Sequence, residues 1–575
     1  MPASNVPSEK VVIYQMMTRL FGNTQTTNKQ YGTLSENGVG KFNDVSDAAL
    51  LSLKELGATH IWYTGVLEHA VLTDYTAFGI PLDDADVVKG RAGSPYAIKD
   101  YYDVNPDLAV DVKKRIAEFE ALIARTHNQG MRVIIDLVPN HVARAYHSDA
   151  KPAGVKDFGA DDDTSVSFKP SNNFYYLPGQ SFQPPRDYNP LGPGNTFPTK
   201  DGRFTETPAK VTGNDQFTAA PSIHEWFETV KLNYGVDIQG GRKGYFEPIP
   251  DTWLKVFEIL AYWAEKGVDG FRCDMAEMVP VEFWQWVIPK VKATYPEVIF
   301  IAEIYNPNEY RSYIDRGRFD YLYDKVQLYD TLRGLIRQER SSADVPHIQN
   351  YLSGINHQML HFLENHDEQR IASPAFAGDP WKALSAMVVS ATIDQGPVMI
   401  YFGQEVGEPG AGDEGFNGDD GRTSIFDYWG VPEHQKWVNG GRFDGGALRT
   451  DQQVLRQFYS DLLNLARTNP AIVRGSYHDI THHNLHLGNI NNKVLAYIRA
   501  EGDEKLLIVA GFNPQALTIK LQLPDSVRSA LGFEDPTRFI GRDILRSGVE
   551  VGFDANFTCT LDVPAFGYYI IKLKS

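Results

Sequence analysis

The chain has 575 residues, 42% of them apolar and 12% aromatic, and a formal net charge of −18. That length exceeds one ordinary core and predicts two or three domains, and the composition excludes intrinsic disorder. The charge disfavours nucleic acid and anionic membrane as partners, and two distant cysteines, Cys273 and Cys559, exclude a disulfide framework or thiolate metal site.

The N-terminus MPASNVPSEK has neither the basic start nor the apolar centre of a signal peptide, and no run of about 20 apolar residues follows. The expectation is a cytoplasmic protein, or a periplasmic or secreted one if a leader has been removed. From residue 11 strand-like runs alternate with helical stretches. VVIYQMM (11–17) predicts a strand, SDAALLSLKELG (46–57) a helix closed by Gly57, and HIWYTGV (60–66) a second strand. DVKKRIAEFEALIARTHNQG (111–130) aligns Ile116, Phe119, Leu122 and Ile123 on one side and stops at Gly130, before the strand RVIIDLV (132–138). A helix over 251–267 and a strand over 268–274 repeat the unit, and 279–305 repeats it again. Strands FDYLYDK (319–325), LHFLENHD (360–367) and PVMIYFGQEVG (397–407) follow, and the helix VLRQFYSDLLNLA (454–466) closes the series.

Eight strands alternating with helices predict a (β/α)8 barrel. An open doubly wound sheet is the competing α/β fold, but no Gly-rich phosphate loop follows the first strand. Residues 142–250, rich in Pro, Gly, Asn and aromatics, are too long for a bare loop and predict an irregular inserted subdomain. In the tail, KVLAYIRA, KLLIVAGFN, LTIKLQLP and YYIIKLK predict an antiparallel β-sandwich. The expected domains are therefore 1–141 with 251–475 as the barrel, 142–250 as the insert and 476–575 as the sandwich.

The polar residues of the barrel gather at the C-terminal ends of its strands, the rim where sites form in this architecture. DLVPNH supplies Asp136, Asn140 and His141; GFRCD supplies Arg272 and Asp274; IAEIY supplies Glu303; ENHDEQR supplies His366, Asp367 and Arg370. One acid at a strand end more often caps or pairs than catalyses. Two on neighbouring parallel strands stand close to the roughly 5–5.5 Å that retaining glycoside hydrolysis requires.

DLVPNH, GFRCD, IAEIY and ENHD, in this order and on these strands, resemble the α-amylase family (glycoside hydrolase family 13), as does the Tyr-containing segment SPYAIKD (94–100). The resemblance spans nearly the whole chain. It implies a retaining hydrolase cleaving α-glucosidic bonds, α-1,4 in the leading reading, of malto-oligosaccharides or starch-like glucans. Asp274 is then the nucleophile, Glu303 the general acid/base and Asp367 the holder of sugar hydroxyls. Tyr96, His141, Arg272, His366 and Arg370 would bind substrate, with Arg370 orienting Asp367, and Asp100, Asp136 and Asn140 would support them. Arg272 is expected to lower the pKa of Asp274.

The chain also departs from the family pattern. Glu277 and Met278 stand where members often carry Lys and His, and Met275 leaves the linkage open. Lys231 occupies the position of an acidic calcium ligand, and an ammonium cannot ligate Ca²⁺, so the usual calcium site between barrel and insert is expected to be absent. GNTQTTNKQYG (22–32) is similar to a second calcium loop through Asn23 and Asn28, but Gln25 and Lys29 replace its acids, leaving another site open. Phe174, Tyr175, Tyr176 and Tyr188 could be sugar platforms or the core of the insert. A transglycosidase using the same intermediate is the nearer alternative; a non-catalytic binding relative would be expected to lack one of the three acids.

Overall fold

Eight short parallel strands curl into one sheet in the computed structural model, which describes residues 8–536 and 540–574; residues 1–7, where the leader reading falls, lie outside these. The strands are β1 (Val12–Met17), β2 (His60–Thr64), β3 (Arg132–Leu137), β4 (Gly270–Cys273), β5 (Ile299–Ala302), β6 (Tyr321–Tyr323), β7 (Met359–Leu360) and β8 (Val398–Tyr401). Each pairs with its neighbour in sequence and β8 pairs with β1. A parallel bridge from His361 to Val398 closes the ring, so the fold is a (β/α)8 barrel.

Local chemistry sets the helices between the strands. Asp47–Leu56 begins where the Ser46 side chain accepts the Ala49 N–H and ends at Gly57 in the left-handed region at φ 119°. Arg115–Asn128 buries Phe119, Leu122 and Ile123, as its spacing predicts. The seventh strand is shorter than its apolar run, because Asn365 accepts the Asp367 and Glu368 N–H groups and Glu364 that of Ile371, diverting the chain into a loop.

The insert after β3 is tied to the barrel by a short antiparallel pair, His141–Ala143 with Thr229–Lys231. In the tail, β9 (Ser476–Asp479), β10 (Val494–Glu501), β11 (Glu504–Gly511), β12 (Leu517–Gln522), β13 (Ile540–Asp543), β14 (Glu550–Gly552), β15 (Thr558–Val563) and β16 (Tyr568–Lys574) form antiparallel sheets. Alternation divides β10 between two cores: Leu495 and Tyr497 pack toward the barrel, and Val494, Ala496 and Ile498 into the sandwich. Among the described residues no helix is long and apolar enough to cross a membrane.

Candidate active site

The register of β4 and β5 places the first two acids. Cys273 faces Ala302 across the ladder, so Asp274 and Glu303 leave adjacent strands one residue later, about 4.8 Å apart at the backbone. Both side chains are buried. Arg272 spans them, with Nη1 at 2.8 Å from Asp274 Oδ1 and Nη2 at 2.9 Å from Glu303 Oε1. Its guanidinium lies among the rings of Trp62, Tyr96 and Tyr323, and its Nε donates to the Tyr323 hydroxyl at 3.1 Å. Glu303 gains two further donors: Met275 N–H to Oε2 and the Tyr305 hydroxyl to Oε1, each at 2.8 Å. Met275 aims that N–H from a left-handed conformation, φ 44°, in which a side-chain-bearing residue is strained.

Arg272 lowers the pKa of Asp274, as expected, but does not set its net direction. Burial and the neighbouring Glu303 carboxylate push its pKa well above the ordinary value, and Arg272 offsets this only in part. The guanidinium is shared: Glu303 takes one of its nitrogens, and Asp136 lies 3.4 Å from another.

Asp367 comes from the loop after β7. Burial would raise its carboxyl, but the charge and hydrogen bond of His366, with Arg272 and Arg422, hold it at about 2. His366 Nε2 lies 3.0 Å from Asp367 Oδ2 and 2.6 Å from the Tyr96 hydroxyl, and Tyr96 stacks on the imidazole. Tyr96 also donates to Asp136 Oδ1 at 3.2 Å, while Trp62 Nε1 donates to Oδ2 at 3.0 Å. Burial, with Lys231 and Lys89 nearby, lowers His141 to about 3, so its imidazole is neutral at any ordinary pH. One cavity of 220 Å³ gathers Tyr96, His141, Asp274, Glu303 and Asp367 on its lining.

Two sequence-predicted residues serve elsewhere. Arg370 does not orient Asp367: its guanidinium donates to Glu364, Thr423 and the Phe402 carbonyl, deep beneath the rim. Proximity in a loop had suggested the wrong partner. Asp100 supports the insert and not the catalytic acids, accepting N–H bonds from Tyr102, Asp149 and Ala150. Phe174, Tyr175, Tyr176 and Tyr188 are all buried within and beneath the insert, so Phe174, Tyr176 and Tyr188 serve its core, while Tyr175 also lines a second cavity.

Asn140 holds the insert in place, donating to the Gly213 carbonyl at 2.8 Å, and its Oδ1 accepts from Lys231 Nζ. The same ammonium lies 2.8 Å from Asp215 Oδ1 and 3.4 Å from the Met278 carbonyl. A cation of the protein itself thus takes the oxygen donors between barrel and insert, and this donor set does not fit calcium. In the first loop Asn23 donates to the Asn37 and Trp429 carbonyls, and Asn28 pairs with both backbone groups of Gly430.

Sequence reasoning missed Tyr305, Lys89, Trp226, Glu228 and Phe426, which line the same cavity. Tyr305 was findable, since it follows Glu303 by two and shares its face of an extended segment. The others sit on loops without a period. Beyond the turn Ala276–Met278 a second cavity of 310 Å³ is lined by Tyr175, Phe246, Glu277, Met278 and Tyr313.

Comparison with known proteins finds the family described as "Alpha amylase, catalytic domain" at residues 15–186 and 249–428. Alpha-amylase 3 of Dictyoglomus thermophilum is 23% identical over 441 residues, covering 73% of this chain and 74% of that protein. Neopullulanase 2 of Thermoactinomyces vulgaris is 23% identical over 538 residues, covering 90% and 72%. The crystal structure of an alpha-amylase from Geobacillus thermoleovorans, complexed with acarbose, superposes with a TM-score of 0.61 at 18% identity over 98% of each chain.

Proposed function

The chain belongs to the alpha-amylase family, and on that premise we propose that it is a retaining glycoside hydrolase cleaving α-1,4-glucosidic bonds of malto-oligosaccharides or starch-like glucans. Three carboxylates around one sugar-sized cavity, two of them joined by a single guanidinium, carry the reading. The names of the relatives, and the acarbose bound to one structural neighbour, support α-glucans as the substrate class.

In this mechanism Glu303 protonates the glycosidic oxygen while Asp274 attacks the anomeric carbon, and the bond to the leaving sugar breaks. Glu303, now anionic, takes a proton from water, whose oxygen displaces Asp274 and restores the configuration. Asp367 and His366 bind hydroxyls of the same ring, contacts that tighten as it flattens. The first step needs the proton of the acid pair on Glu303 and the charge on Asp274. Arg272 touches both acids and so offsets the negative charge that moves between them in the two steps.

Lys231 supports a reaction that draws on no calcium ion between barrel and insert. Transfer to a second sugar is favoured by one observation, the cavity past Met278, where the rings of Tyr175, Tyr234, Phe246 and Tyr313 offer faces to an acceptor sugar. Incubation with maltotriose separates the two: hydrolysis yields only shorter products, and transfer yields longer ones. Failure to act on any α-glucan would overturn the assignment.

A further inference from the structure

Lys89 and Glu228 come from two separate loops and belong to none of the family motifs, yet both line the cavity of the three acids. They pair at 2.8 Å with side chains only 13% and 4% exposed. The Lys89 ammonium lies 5.9 Å from the ring centres of both Phe227 and Phe426, so aromatic rings flank the pair. The loops are pinned: Arg144 N–H donates to the Glu228 carbonyl at 3.2 Å, and Gly90 N–H to the Tyr188 hydroxyl at 3.1 Å. One oxygen remains unanswered. Glu228 Oε2 is buried and, among the described residues, meets no hydrogen-bond donor. A desolvated carboxylate oxygen in that state is unfavourable until a ligand hydroxyl reaches it.

The cavity's 220 Å³ falls below the roughly 300–1,000 Å³ of sites that bury drug-sized ligands and is on the scale of a single sugar unit. The leaving-group side is marked by Tyr305 on Glu303, and by Glu277, which accepts the Tyr305 and Asn306 N–H groups and lines the second cavity. Lys89 and Glu228 make no bond to any of these residues, and they wall the first cavity.

We propose that the Lys89–Glu228 pair is the end wall of the glycone site, where it receives the hydroxyls of a single non-reducing terminal α-glucosyl unit. The enzyme is then end-acting and removes or transfers one glucosyl unit per turnover. A carboxylate beside an ammonium offers an acceptor and donors side by side, matching a pair of free hydroxyls. A sugar already linked through its 4-oxygen has no proton there for Glu228 to accept. The inference rests on the α-glucosidic reaction proposed above.

The test compares 4-nitrophenyl α-maltoheptaoside carrying a free non-reducing end with the same compound capped there by a 4,6-O-ethylidene group. The free substrate should release glucose as its first small sugar, and the capped one should turn over at least about a hundredfold more slowly. This arm uses the wild-type chain and needs no variant to fold. Glu228→Gln and Lys89→Met should raise KM for the free substrate about tenfold while kcat stays within about threefold, a split that mere loss of folded protein does not produce. Equal rates on both substrates, intermediate-length sugars as first products, or an unchanged KM in folded Glu228→Gln would each overturn the end wall and leave the hydrolase standing. No turnover of either substrate overturns the α-glucosidic reaction, and this inference with it.

Discussion

Replacing Lys231 with Met tests the cation that joins barrel to insert. The ammonium bonds Asn140 at the end of β3, Asp215 in the insert and the Met278 carbonyl in the turn after Asp274. Its side chain is 4% exposed and that of Asp215 18%, so methionine leaves a largely desolvated carboxylate whose remaining cation among the described residues is Arg242 at 3.6 Å. Breaking a buried pair from one side costs about 3–5 kcal/mol. At about 2 °C per kcal/mol for a large domain, the thermal midpoint should fall by about 6–10 °C. Activity should fall as well, because His141 and Met275 adjoin the released segments. Lys231→Asp should lose as much, but would add a fourth oxygen donor to Asn140, Asp215 and the Met278 carbonyl, a set that suits calcium. Calcium at a hundred times its Kd should then return about 2.7 kcal/mol to this variant and nothing to Lys231→Met. Calorimetry with chelator and with calcium reads both effects. A Lys231→Met protein as stable as the wild type, or a wild type stabilised by calcium as much as Lys231→Asp, would refute the reasoning.

Asp274→Asn should lower kcat by at least about 10⁴-fold with an unchanged circular dichroism spectrum, and undiminished turnover would remove Asp274 from the nucleophile's place. Arg272→Lys should lower kcat by about 10²–10³-fold, since one ammonium cannot hold two carboxylates as a planar fork does; steady-state kinetics with near-normal activity would contradict this. Burial holds His434 at about 3, against about 6.5 in an unfolded chain. Its contribution to stability is complete above pH 6.5 and is lost as pH falls toward 3. Urea unfolding of His434→Gln should therefore show a pH slope shallower by about 1.4 kcal/mol per pH unit between pH 5 and 4, and an unaltered slope would disprove the shift.

The barrel was legible because helix and strand periods alternate along the chain, and the acids because they end strands inside recognisable segments. Three things were hidden for physical reasons. The direction of Arg370 depends on buried Glu364, which reads in sequence as one more loop acid. Arg272 was given to Asp274 by spacing alone, although the ladder between β4 and β5 also brings Glu303 to it. Lys89 and Glu228 are 139 positions apart, and single charges on aperiodic loops look like solvated surface until the chain brings them together. Strands β13 to β15 escaped for a milder reason: their short runs alternate with exposed polar residues and lack the continuous apolar stretch of β10 and β11.

Arg499 on β10 is almost wholly enclosed and donates to the carbonyls of Ile393, Ala471, Ile472 and Gly475, riveting the tail to the back of the barrel. Since the strand around it is greasy on both sides, a protein cut after residue 475 would bare an oily wall and strand those carbonyls. Trimming to the catalytic half is thus no route to a smaller working enzyme: the last hundred residues are a plank of the hull.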